Sequence, residues 1–372
     1  MRVLGGAQGP RMTVEGREVL LFAGSNYLDL AAHPEVVEAA ARAARDWGCA
    51  AGGSRLINGN LALHEHLEAE LASFLGVEAA LAFSTGYQAN VGVIPALVGP
   101  GDAVVSDALV HASIIDGCRL SRAAVHVFDH GDPDALEARL AAVAPAHRRT
   151  LLVLDGVYSM DGDLAPLPAM LAAARRHGAL VLLDDAHGIG CLGAGGRGSA
   201  EVLGVDLRGI DVLVGTLGKA LGSFGAFVAG PAALRELLVN TARSFIFSCA
   251  LAPPQVEAAR AALALLAREP WRRARLQAHA ERLRTALGAR GLSTAPSSTH
   301  IVPVRIGDNA RTMRVCQRPP PRGFYAHGTR PPSVPEGSAR LRLTVMATHA
   351  VAEIDALADA VAEEIAAAGG PA

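Results

Sequence analysis

The sequence predicts an α/β protein: a large domain on a mainly parallel seven-stranded sheet, with a smaller α+β domain at its C-terminal end. Three observations lead there. Seven short runs are apolar throughout, as strands buried on both faces are, and helical patterns separate several of them. The 40 glycines in 372 residues supply many tight turns. From about Pro253 the texture changes to long Arg- and Ala-rich helices, which marks a second domain.

In chain order, HPEVVEAAARAARDWG (33–48) and LHEHLEAELASFLG (63–76) carry apolar residues at helical spacing, and each ends in Gly. The strand-like runs are ALAF (80–83), AVVS (103–106), VHVF (125–128), LLVLD (151–155), LVLLDD (180–185), DVLVGT (211–216) and AFVAG (226–230). A helix is expected between two of them, from about Pro166 to His177. Beyond the helices that follow Pro253 come strands IVPVRI (301–306) and RLRLTV (340–345), then a last helix from about Ala350 to Ala367. This gives an N-terminal segment (1–32) packing on the small domain, a large domain (33–252) and a C-terminal small domain (253–372). TMRVCQRPPP (312–321) breaks the pattern, since a helix is expected there and three consecutive prolines cannot continue one.

Lys+Arg number 34 against 36 Asp+Glu, a net charge of −2 that argues against nucleic-acid binding. The 5 cysteines are scattered without a C-x-x-C pair, as in a reducing cytoplasm, and no apolar signal region or membrane span is apparent. Of the 34 basic residues all but Lys219 are arginine. Arginine keeps its proton at any working pH, whereas a lysine amine can lose its proton and attack a carbonyl. Lys219 is therefore a candidate for chemistry arginine cannot perform; the alternative is a leftover surface lysine.

Its context favours chemistry. In DVLVGTLGKALGSFGAF, Lys219 follows a buried strand, where the ends of α/β strands open on a ligand crevice, and Thr216 stands at the same rim. In LVLLDDAHG, Asp184 at a strand end and His187 three residues on can converge on one planar ligand, although an aspartate there also fits a helix cap. GIGCLG (188–193) matches the dinucleotide-binding pattern in letters only, because it sits mid-chain and runs into GAGGRGS rather than a helix. FSTGYQAN (83–90) offers a phosphate cradle at a helix start through Thr85 and Gly86, with Tyr87 beside it. SDALVHAS (106–113) puts His111 where an imidazole can stack on an aromatic ring. His64 and His66 do not fit H-E-x-x-H, and no metal site is expected.

In order along the chain, SNYLDL, GGSRLINGN, FSTGYQAN, SDALVHAS, GVYSMDGD, LDDAHGIG, TLGKALG, FIFSCALAPP and RPPSVPEGSARLRLT resemble the α-oxoamine synthases, a branch of the fold-type-I pyridoxal phosphate enzymes. The resemblance implies that Lys219 carries the cofactor, His111 stacks on its ring, Asp184 pairs with its ring nitrogen, and His187 and Ser159 reach its phenolic oxygen. It further implies that Thr85, Gly86 and Thr216 hold the phosphate, with Ser248 reaching across from a second subunit of a homodimer. Arg342 is implied as the clamp for the substrate carboxylate, with Arg340 as understudy and Ser25 and Asn26 nearby. The reaction implied is decarboxylative condensation of an amino acid with an acyl thioester. For the member most resembled, these are L-alanine and a pimeloyl group on CoA or acyl carrier protein, in biotin synthesis. Other readings are a relative using glycine or serine, an aminotransferase, or a relative that binds the cofactor without turnover. The chain departs from the family pattern at Ser25, where Asn is usual, and at Asp155, where Glu is common.

Overall fold

The computed structural model describes residues 2–317 and 323–369. The chain divides into two compact units, residues 34–158 with 164–268, and residues 1–33 with 159–163 and 269–372. The chain passes between them after Arg268, one helix later than the change in texture suggests. The reason is that helix Pro253–Arg268 packs on helix Pro34–Trp47 inside the larger unit.

The larger unit is built on a seven-stranded sheet: β1 (Ala79–Phe83), β2 (Ala103–Asp107), β3 (Ala124–Phe128), β4 (Thr150–Asp155), β5 (Leu180–Asp184), β6 (Val212–Thr216) and β7 (Ala226–Gly230). Their order across the sheet is β1-β7-β6-β5-β4-β2-β3. Only β7 runs against its neighbours, pairing antiparallel with β1 and β6, while the other pairs are parallel. Every residue of β4 is buried, as the unbroken TLLVLD run requires of a strand covered on both faces. Edge strand β3 departs from that expectation: Val125 and Val127 are 44% and 50% exposed, because an edge strand has a neighbour on one side only. Helices Gly86–Leu97 and Ala112–Ser121 pack together on one face, and Val93, Ile114, Val104, Val153, Leu182 and Val214 share one apolar core.

The smaller unit contains an antiparallel sheet of Ile301–Gly307, Ala339–Thr344 and His327–Thr329, with helices Trp271–Gly288 and Val351–Ala367. The N-terminal strands Leu4–Gly5, Arg11–Val14 and Arg17–Leu21 form a second sheet, which Phe324–Tyr325 joins in parallel. The irregular stretch expected over 312–321 is in part a helix, Asn309–Gln317, begun where Asp308 accepts from Arg311 N at 2.6 Å. Residues 318–321 of that stretch lie outside the described residues. No helix among the described residues is long and apolar enough to cross a membrane.

Candidate active site

In the larger unit the chemistry gathers where β2, β4, β5 and β6 end. Lys219 lies in the turn beyond β6, and its Nζ is 2.9 Å from His187 Nε2. Thr216 builds that turn. Its hydroxyl donates to Gly225 O at 3.0 Å and accepts from Gly218 N at 3.1 Å, so it is engaged within the turn itself.

Asp184 ends β5 and is buried. Its Oδ2 accepts from Asn90 Nδ2 at 2.7 Å and its Oδ1 from Ala186 N at 3.1 Å, two donors that suit a carboxylate. Asp155 stands beside it on β4, in register. Burial, reinforced by the Asp184 charge, drives the Asp155 carboxyl well above the usual range. The next residue, Asp185, is fully buried and is pushed up to about 7 by loss of solvent, against the hydrogen bond from Ser199 N at 2.7 Å.

His111 caps helix Ala112–Ser121, with its Nδ1 2.7 Å from Ser113 Oγ. Burial pulls its pKa down; the Asp184 charge opposes this and the Lys219 charge adds to it, so all three groups feel one another. Asp107 orders the loop before it, accepting from Leu109 N at 2.8 Å, Gly131 N at 2.9 Å and His130 Nδ1 at 2.9 Å. The His130 ring in turn meets Tyr158 edge-on at 4.3 Å.

Thr85 caps helix Gly86–Leu97, its hydroxyl accepting from Gln88 N at 3.1 Å. The first amides of a helix have no partner within it, and a Cβ on Gly86 would meet nothing within 4 Å. Ser248 approaches this helix start in the same chain, its hydroxyl 3.2 Å from Gln88 Nε2. Tyr87 is 46% exposed and its hydroxyl bonds to Asp116. GIGCLG forms successive turns instead of opening a helix, which removes the dinucleotide reading.

The smaller unit holds the other expected residues. Arg342 donates from Nε to Ser159 O at 2.5 Å and reaches Tyr27 OH with Nη2 at 3.4 Å. Asn26 is consumed locally: its Oδ1 accepts from Leu30 N and Ala31 N, and its Nδ2 donates to Gln8 O and Asp29 Oδ1. Its expected contact with substrate thus competes with the turn it holds. Arg340 is buried, and its guanidinium donates to Asp161 and Ser338 O. Ser25 is half-buried.

Sequence reasoning passed over Asn90, Ser113, Tyr27, Asp107 and His130. Each bonds to or packs on another side chain, and the sole signal was that Asn90, Ser113, Asp107 and Tyr27 sit inside motifs already singled out.

The donor set fits pyridoxal phosphate: an amine at Lys219, a buried carboxyl at Asp184 for the ring nitrogen, and a helix start with open space over Gly86 for a phosphate. Comparison with known proteins agrees. The model of the aminotransferase class I and II family matches residues 17–361. The 8-amino-7-oxononanoate synthase of Geobacter sulfurreducens is 52% identical over 357 residues, covering 95% of this chain and 91% of that protein. That of Geobacter metallireducens is 51% identical over 353 residues, covering 94% and 90%. A serine palmitoyltransferase variant from S. paucimobilis, solved with bound PLP and myriocin, superposes with a TM-score of 0.95 at 35% identity, over 99% of this chain and 93% of its own. The 8-amino-7-oxononanoate synthase of Francisella tularensis, at 24% identity and a TM-score of 0.81 over 94% and 98%, shares the fold.

Proposed function

The chain belongs to the class I and II aminotransferase family, and we propose that it joins L-alanine to a pimeloyl thioester, with loss of CO₂, to give 8-amino-7-oxononanoate. It is a pyridoxal-phosphate-dependent acyltransferase of biotin synthesis. Identity of 51–52% to two named synthases, against 35% to a serine palmitoyltransferase, favours alanine over serine.

The observation that carries the chemistry is Lys219 Nζ within 2.9 Å of His187 Nε2 at the end of a central strand. Bound pyridoxal phosphate supplies an electron sink for a carbanion at the amino acid Cα. Asp184, whose carboxylate oxygens accept from Asn90 Nδ2 and Ala186 N, would pair with the ring nitrogen. Lys219 takes the Cα proton at Nζ, and His187 orients that amine. The ring of His111 would cover one face of the cofactor, and the start of helix Gly86–Leu97, with Thr85, would receive its phosphate. Arg342 grips the substrate carboxylate through its guanidinium edge.

The protein works as a homodimer in this reading. Its support is a group of large apolar side chains left in solvent around the loop of Ser248: Phe247 is 71% exposed, and Ile57, in the loop joined to it by Ala250 N donating to Gly53 O, is 83% exposed.

The test is the reaction itself. Protein with pyridoxal phosphate, L-alanine and pimeloyl-CoA is expected to release free CoA and CO₂ in equal amounts, faster than with glycine or serine. Pyruvate from alanine alone would assign an aminotransferase instead. No thiol release with any amino acid would sink the proposal.

A further inference from the structure

Asn90 lies in helix Gly86–Leu97, one turn past its start, and is 1% exposed. Its Nδ2 is 2.7 Å from Asp184 Oδ2 and 2.9 Å from Ser113 Oγ, so each amide hydrogen has an acceptor. Ser113 is fully buried, and its Oγ is 2.7 Å from His111 Nδ1. The backbone N–H of Ser113 reaches the same ring nitrogen at 3.3 Å.

The direction of each bond follows from what the groups can do. Turning the Asn90 amide over would set its oxygen against a carboxylate oxygen, acceptor to acceptor, so Asp184 fixes the amide orientation. Ser113 Oγ accepts from Asn90 and has one hydrogen left, which goes to His111 Nδ1. That nitrogen then receives two donors and carries no proton itself, so the ring hydrogen sits on Nε2. Asn90 Oδ1, meanwhile, is buried without a partner among the described residues. An asparagine serving only to fill space would incur that cost for nothing, since leucine fills a similar volume without it.

We propose that Asn90 and Ser113 form a positioning relay, which locks His111 as the neutral Nε2–H tautomer and ties its ring to the same amide that orients Asp184. Neither residue touches reacting atoms. The relay makes the two cofactor contacts, one on the face of the ring and one at its nitrogen, a single rigid unit. The inference rests on reading Asp184 and His111 as those contacts. The charged and titratable groups that act on His111 are Asp184 and Lys219, with Asp155 meeting its backbone N–H at 3.5 Å.

The experiment is ¹⁵N NMR of histidine-labelled holoenzyme, with the His111 signals identified by their loss in His111→Phe. Wild type is expected to show His111 with the hydrogen on Nε2. In Ser113→Ala, which removes the shorter of the two donors to Nδ1, and in Asn90→Leu, which frees the Ser113 hydroxyl to turn and accept from Nδ1, the Nδ1-protonated form should appear and the His111 titration should move to higher pH. The kcat of both variants should fall roughly 10- to 100-fold, the scale seen when outer partners of site groups are removed. A hydrogen on Nδ1 in wild type overturns the relay, as does an unchanged titration in Ser113→Ala, a substitution small enough to leave the fold intact. A wild-type protein that shows the tautomer but releases no thiol would refute the proposed reaction and leave the relay standing.

Discussion

Lys219 Nζ and His187 Nε2 stand 2.9 Å apart in the turns that follow two adjacent parallel strands, β6 and β5. One hydrogen bond joins an amine to an imidazole; a guanidinium could make that bond too, but it does not give up its proton and so cannot become the free amine the chemistry needs. Lys219→Arg is therefore expected to fold normally, to show no visible band that borohydride abolishes, and to lose at least about 10²-fold in kcat, the low end of general acid–base contributions. Absorbance and turnover of the purified variant check this, and a yellow, active Lys219→Arg would move the chemistry elsewhere.

Asp185 predicts a pH dependence of stability. Its carboxyl rises from 3.8 to about 7 on folding, because burial strips solvent from the anion. The folded chain thus holds this proton more tightly than the unfolded one. The contribution is fully present below pH 3.8 and is lost as pH climbs through about 7. Asp185→Asn cannot titrate. The drop in Tm between pH 5 and pH 8 is expected to be larger in wild type than in the variant; equal drops would exonerate the carboxyl.

Glycine substitutions separate packing from binding. A Cβ on Gly198 would lie 1.9 Å from Asp185 Oδ2, and its φ of +91° is itself strained for any L side chain. Gly198→Ala should destabilise by about 1–3 kcal/mol or more, as overpacking does. Gly86, where a Cβ would meet nothing within 4 Å, should accept alanine without loss of Tm. If the amides there receive the cofactor phosphate, Gly86→Ala changes cofactor affinity alone. Thermal melts of the apo forms and cofactor titrations give both readings.

The Arg55–Glu68 pair is a third kind of constraint. Arg55 Nη1 is 2.6 Å from Glu68 Oε1 and both side chains are nearly sealed, at 6% and 3% exposed. Glu68 Oε1 also accepts from Ala82 N at 2.9 Å, so the pair ties the 54–60 loop to β1. Glu68→Gln keeps an acceptor for Ala82 but sets a neutral amide against the buried Arg55 charge, whose one other carboxylate among the described residues is the half-exposed Glu65 at 3.3 Å. Urea unfolding should report a loss of about 3–5 kcal/mol, the usual result of breaking one side of a buried pair.

The strands and the reactive side chains were legible because their signals are local. Unbroken apolar runs mark β4 and β5, and one lysine among arginines marks Lys219. What escaped depends on partners remote in sequence. Exposure of Val125 and Val127 follows from β3 being an edge, which no residue in VHVF announces. Asn26 looks like a ligand group in SNYLDL until its three bonds within the turn and a fourth to Gln8 O are seen. Asn90 is 94 residues from Asp184, and only the packing of a helix on the sheet brings them together.

Arg340 and Arg342 make the same point and can be separated by experiment. Two residues apart on strand Ala339–Thr344, they share one face, and both turn toward the 159–163 segment. Arg340 is 5% exposed, pairs with Asp161 and donates to Ser338 O at 2.9 Å, so its guanidinium is spent on structure. Arg342 gives Nε to Ser159 O and leans with Nη2 on Tyr27 OH, whose ring meets His300 edge-on at 4.1 Å. That support aims the guanidinium without consuming it. Arg340→Ala should lower stability by about 1.5–3 kcal/mol, the worth of hydrogen bonds to a charged group, with little change in the KM of the amino acid. Arg342→Lys keeps the charge but loses the fork, and is expected to raise that KM roughly tenfold, about 1.4 kcal/mol, while leaving Tm and the KM of the acyl thioester near wild type. Steady-state kinetics with each substrate varied in turn, beside thermal melts, decides it: if the KM effect follows Arg340 and the Tm effect follows Arg342, the two roles are exchanged.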